Sequence, residues 1–142
     1  MDEQLSSVTR PDRRRPGRAA VVSIALMVVG LLGILLTWFL LSLLNDATDH
    51  GETVPSVFFV LSYLQFAVSA AQIVSGVFVW TGRQPWARIL AIVVCSLNLV
   101  GGVVSLFSGN CLPGIFNVSL NIGLIAGLRD EAVYDWCHPY DE

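Results

Sequence analysis

Ala19–Leu44 reads AAVVSIALMVVGLLGILLTWFLLSLL, with no charged residue in it, and Arg10, Arg13, Arg14, Arg15 and Arg18 stand just before it. A helix rises ~1.5 Å per residue and a bilayer's hydrocarbon core is ~30 Å thick, so about 20 apolar residues span it. This stretch is longer than that and spans with tilt. Arginine beside a span is held on the cytoplasmic side during insertion. A cleaved signal peptide fits less well, because its apolar region is only about 7–15 residues and ends at a small-residue site that is missing here. The stretch therefore reads as a retained anchor that orients everything after it.

The totals agree. The chain has 142 residues, 54% hydrophobic and 13% charged, with a mean hydropathy of +0.67. That charged share is about half that of a soluble domain. All eight basic residues are arginine, and the formal net charge is −3. A short arginine run beside a span reads as a topology signal and not as a nucleic-acid patch, so no nucleic-acid partner is expected. The three cysteines fall at different depths, Cys95 in a span, Cys111 in an outer loop and Cys137 in the tail, and no intrachain disulfide is expected.

The pattern predicts an all-α polytopic membrane protein, a four-helix transmembrane bundle with both termini cytoplasmic. Residues 1–18 read as a disordered cytoplasmic Arg-rich tail, since Pro11 and Pro16 break helix and little is apolar. Residues 19–128 hold spans at about 19–44, 55–80, 86–107 and 112–128, and residues 129–142, ending in DEAVYDWCHPYDE, read as an acidic, solvated cytoplasmic tail. The first outer loop, residues 45–54, carries only acidic charge at Asp46, Asp49 and Glu52, with His50 among them, and reads as solvated rather than metal-binding. This threading puts Arg13, Arg14, Arg15, Arg18, Arg83, Arg88 and Arg129 on the inner side and no basic Arg or Lys outside.

Between their interfacial ends the spans hold no Asp, Glu, Lys, Arg or His. Pumps and carriers commonly keep an ionisable group there. His50 and His138 fall on opposite sides of the bilayer, so neither serves a nucleophile across it, and an enzyme is not expected. Cys137-His138 offers half a metal site without a second pair, and no cofactor or metal is expected. What the spans do hold is small and uncharged polar residues at steps of three and four, which share a helix face. Span 2 has Ser62, Gln65, Ser69, Gln72 and Gly76; span 3 has Ala91, Cys95, Asn98, Gly102 and Ser105. Span 1 has Ser23, Gly30, Gly33 and Thr37; span 4 has Gly114, Asn117 and Asn121. Such seams let helices approach and hydrogen-bond within lipid. Gln65, Gln72, Asn98, Asn117 and Asn121 form an intramembrane polar seam, either structural or path-lining. Counting depth from the loops, Asn98 is expected to meet Asn121, and Gln65 to match Asn117. A second face of span 4, Ser119, Gly123 and Gly127, is read together with Gly30 and Gly33 as helix-packing surface, against span 1 in preference to another copy.

The inner turn GRQPWARIL, followed by an apolar span, resembles a loose group of small four-span integral membrane proteins of high-GC bacteria, which share a G-R-x-W-A-R-type turn. The matching positions are Gly82, Arg83, Trp86, Ala87 and Arg88, with one extra residue before Trp86. The resemblance implies a bacterial inner-membrane location and carries no activity with it. The expected role is a non-enzymatic partner, scaffold or regulatory subunit embedded in the lipid bilayer, with a membrane protein or further copies of itself as partner. The alternative is a small transporter or channel subunit whose polar seam lines a path in an oligomer.

Overall fold

Hydrocarbon offers no water to backbone N–H and C=O groups, so a spanning segment closes its hydrogen bonds within itself. The four apolar stretches do this as helices. The computed structural model describes residues 16–82, 84–107, 109 and 111–138. Within them the chain forms α1 (Gly17–Asp49), α2 (Ser56–Thr81), α3 (Pro85–Phe107), α4 (Cys111–Leu128) and α5 (Glu131–Cys137), and no strand. The segment through Arg15, and Arg83, lie outside the described residues, as do residues 139–142.

Proline and glycine set the helix ends. Pro16 and Pro55 are extended and precede α1 and α2, and Pro85 opens α3 where a missing N–H costs nothing. Gly82 ends α2 in the left-handed region, φ +65°, with its N–H on Phe78 O at 3.1 Å. Two boundaries differ from the sequence reading. Residues 45–49, expected in the first loop, continue α1, because no glycine or proline intervenes before Gly51 and Thr48 Oγ1 bonds back to Leu44 O at 2.8 Å. The tail, expected to be solvated, contains α5, whose Val133 and Cys137 are fully buried.

Four helices are long and apolar enough to cross a membrane, and the chain is a multi-pass membrane protein of the four-helix-bundle class. α1 pairs most closely with α2 and α3 with α4; α2 meets α3 less, and α1 meets α4 least of these neighbours. Glycine sets the close pairs. A Cβ on Gly30 would stand 2.8 Å from Ser69 O, and one on Gly76 3.1 Å from Ser23 O, so the α1 and α2 backbones nearly touch. Gly102 and Gly114 do the same for α3 and α4: a Cβ on Gly114 would stand 3.1 Å from Gly102 O.

The hydrophobic core gathers at one end. Ala19, Val22 and Leu26 of α1 meet Val79 of α2, Ala87, Ala91 and Cys95 of α3, and Leu124 and Leu128 of α4, with Val133 and Cys137 of α5 beneath. This end also carries Arg18, Arg88 and Arg129 and is called the arginine end. Toward the far end the two hairpins share no such core among the described residues. Leu35, Leu36 and Phe39 of α1 are 57%, 69% and 62% exposed there, a surface suited to hydrocarbon and not to water.

Candidate functional site

Most of the seam residues face inward, because they are the side chains that lipid cannot satisfy. Ser69, Gln72, Asn98 and Asn121 are buried, as are Ser62 and Ser75, while Asn117 is half-buried and Gln65 is exposed. Buried hydroxyls return to their own helix: Ser23 Oγ donates to Ala19 O at 2.6 Å, Thr37 Oγ1 to Gly33 O at 2.8 Å and Ser75 Oγ to Gln72 O at 2.9 Å. The carboxamides of α2 and α3 reach between helices instead. Asn98 Nδ2 donates to Gln72 Oε1 at 2.9 Å, joining α3 to α2. Gln65 Nε2 lies 3.3 Å from Asn98 Oδ1 and 3.4 Å from Ser69 Oγ, donating weakly to both.

Asn121 is at the same level but bonds elsewhere. The Cβ position of Gly102 on α3 is 3.2 Å from Asn117 Cγ on α4. One turn toward the arginine end from these two are Asn98 and Asn121, so the antiparallel pair sets them level. Yet Asn121 Nδ2 donates to Asn117 O at 2.9 Å and to Asn117 Oδ1 at 2.8 Å, within α4. The expected Asn98–Asn121 bond is replaced by Asn98–Gln72, and Gln65 bonds Asn98 in place of matching Asn117. Depth fixes level but not azimuth, and α2 presents two carboxamides to α3, whereas the two of α4, Asn117 and Asn121, bond to each other. Two buried atoms of this layer, Gln72 Nε2 and Asn121 Oδ1, have no hydrogen-bond partner among the described residues.

The arginine end holds a second arrangement, which the sequence reading missed. Asp130 caps α5, its side chain accepting from Ala132 N at 3.0 Å, and also pairs with Arg18 of α1. Trp136 Nε1 donates to Val79 O at 3.1 Å, and the indole covers Gly82 so closely that a Cβ there would overlap the ring. Arg88 Nε donates to Leu128 O at 2.7 Å, satisfying a terminal carbonyl of α4, and its guanidinium stands 4.8 Å from the Tyr134 ring centroid. Tyr134 in turn stacks on His138, with centroids 4.1 Å apart. Gly82, Ala87 and Arg88, read from sequence as parts of a turn, are thus the socket for α5. The signal available in sequence was an acidic cap followed by Val133, Trp136 and Cys137 at helical spacing. Burial raises the Cys137 thiol pKa above its ordinary value, an effect that the nearby Arg88 charge opposes.

Other site residues fall as follows. Gly30 and Gly33 pack on Ser69, and Gly127 abuts Val22 of α1, its Cβ position 2.7 Å from Val22 Cγ2. Gly123 has open space beside it and Ser119 is exposed, so only the Gly127 end of that face packs within the chain. Arg129 is exposed after α4. Among the described residues no group of three His, Cys, Asp or Glu gathers as metal ligands. Comparison with protein-family models, with curated proteins and with solved structures finds no match.

Proposed function

We propose that this chain is a non-enzymatic protein of the cell membrane, with both termini cytoplasmic, that serves as a partner, scaffold or regulatory subunit for other membrane proteins or for further copies of itself. The bacterial inner membrane is the membrane the resemblance suggests. One observation carries the reading. Gln65 lies well inside α2, nine residues from Ser56, and its side chain is exposed beside Asn98 where the hairpins lose their common core. A carboxamide left against lipid loses hydration with little in return, and a neighbouring helix restores it. The uncovered far half of the bundle is therefore read as the surface that receives such a helix. The segregation of arginine supports the orientation.

The transporter or channel alternative has one observation in its favour, the two unpaired carboxamide atoms at Gln72 and Asn121. A single experiment separates the readings. A photo-crosslinking residue placed at Leu61 or Leu64, flanking Gln65, is expected to trap one recurrent membrane protein or a second copy in intact cells, while proteoliposomes show no solute flux. Flux that Asn98→Leu abolishes in a folded protein would overturn the partner reading. Reporter fusions after His138 and within residues 45–52 test the orientation and are expected to report opposite sides.

A further inference from the structure

We infer that the groove between α1 and α4 at the arginine end is a binding site for one phospholipid with a primary-amine headgroup of the phosphoethanolamine class. The inference rests on the spanning of the membrane by the four helices and not on the partner role. The groove holds about 640 Å³ and is lined by Gly17, Arg18, Val21, Val22, Ala126, Gly127 and Asp130. Its residues sort by depth. Arg18 and Asp130 stand at the mouth, at the level where headgroups lie, and the valines, Ala126 and Gly127 stand one turn further into the span. α1 and α4 touch least of the neighbouring spanning helices, so a wedge fits between them.

The walls suit an acyl chain. Gly127 leaves α4 without a side chain against Val22, and Gly123, one turn on, has open space on the same face. Ser119 is exposed a turn beyond that. At ~1.5 Å per residue this open strip of small residues runs on from the groove along the lipid-facing side of α4 for about 12 Å, the length of some ten methylenes. The mouth suits a zwitterion. Arg18 and Asp130 form an ion pair, their side chains 74% and 25% exposed, so both remain reachable. A guanidinium has five N–H donors and a carboxylate about four acceptor sites. Arg18 therefore keeps donors for a phosphate, and Asp130 keeps acceptors for an ammonium, without parting from each other. An anionic glycerol headgroup offers the spare acceptors of Asp130 only neutral hydroxyls, a weaker contact than an ammonium, and a quaternary ammonium has no N–H to give them.

The test uses the full chain, purified from nanodiscs of equal phosphatidylethanolamine, phosphatidylglycerol and phosphatidylcholine, with retained lipid counted by native mass spectrometry. Wild type is expected to keep one phosphatidylethanolamine, favoured about tenfold over the other two, as one charge-assisted contact provides. Arg18→Gln and Asp130→Asn are each expected to reduce that preference severalfold; asparagine preserves the cap on α5. Ala126→Phe, at an exposed position, is expected to fill the groove and remove the retained lipid with the melting temperature unchanged. Should Ala126→Phe not fold, phosphatidylethanolamine with a photoreactive acyl chain replaces it, and cross-links are expected at Val21 and Gly123. Equal retention of the three lipids, retention unchanged in Arg18→Gln, or cross-links confined to the α2 and α3 surfaces would overturn the inference. These readouts come from purified protein and do not depend on any partner.

Discussion

Asn98→Leu tests the carboxamide layer most directly. The substitution removes the 2.9 Å bond to Gln72 Oε1 and the 3.3 Å contact from Gln65 Nε2. Gln72 is 1% exposed and already has an unpaired Nε2, so it would keep a buried carboxamide with no side-chain partner. Interhelical hydrogen bonds in membranes average about 0.6 kcal/mol and reach about 1.7, and orphaning a buried polar group costs about 1–3. The 3.3 Å contact is long and adds little. We expect a loss of about 1–2 kcal/mol in reversible unfolding in mixed micelles. Gln72→Leu should cost a similar amount, and the double variant should cost less than the sum by about 0.6–1.7 kcal/mol, because the second change removes the group the first one stranded. The same cycle with Asn121→Leu is the control. Asn121 is bonded to Asn117 and not to Asn98, so its coupling to Asn98 is expected to stay below about 0.5 kcal/mol. A coupling larger for Asn121 than for Gln72 would refute the assignment of partners.

Gly82→Ala should cost about 1–2 kcal/mol at φ +65° and dislodge Trp136, seen as faster proteolysis within 131–137; Gly17→Ala, which meets nothing within 4 Å, should leave both unchanged. Gly30→Ala should destabilise by about 1–3 kcal/mol because its Cβ meets Ser69 O on the facing backbone, whereas Gly101→Ala, in open space, should fall within about 0.5 kcal/mol of wild type by the same unfolding assay. Cys111 is exposed and should be alkylated quickly in the folded protein, with Cys137 protected by burial. The Cys137 thiol is raised in the folded state above its ordinary 9.0, so as pH climbs past 9.0 the unfolded chain loses that proton first and stability falls; Cys137→Ser should flatten this alkaline decline in a pH series of melts.

The spans were legible because lipid imposes one rule on every position along them. Apolar length marked each helix, and steps of three and four marked the face turned from lipid, so Ser69, Gln72, Asn98 and Asn121 stood out before any coordinate. Their partners did not. Residue counts from the loops give depth, and Asn98 is indeed level with Asn121, but which neighbour a side chain reaches depends on rotation about the helix axis. Composition has no record of that. α5 was hidden for another reason. Its seven residues bury only Val133 and Cys137 fully, and what holds them is a turn some fifty residues away, through Gly82 and Val79. No local periodicity reports a contact of that range. The concentration of the core at the arginine end was equally invisible, because all four spans are apolar along their whole length, and only the packing separates residues facing one another from residues facing lipid.

The unequal lengths of the outermost-packed helices have a consequence for the membrane itself. The uncharged run of α1, Ala19–Leu44, is 26 residues and α4 has 18, which at ~1.5 Å per residue is about 39 Å against about 27 Å. Both begin or end at the arginine end, so the whole difference falls on the far leaflet. A bilayer of uniform thickness cannot match both: beside α4 it must thin or dip, and beside α1 it must swell, or α1 must lean. Each ångström of mismatch costs a fraction of a kcal/mol, small for one molecule but spent on one flank only. A leaflet that met both flanks would have to slope, and two copies would lower that shared distortion with their short flanks adjoining. Bilayer thickness would then bear on how any two copies approach, before a side chain on one has touched the other.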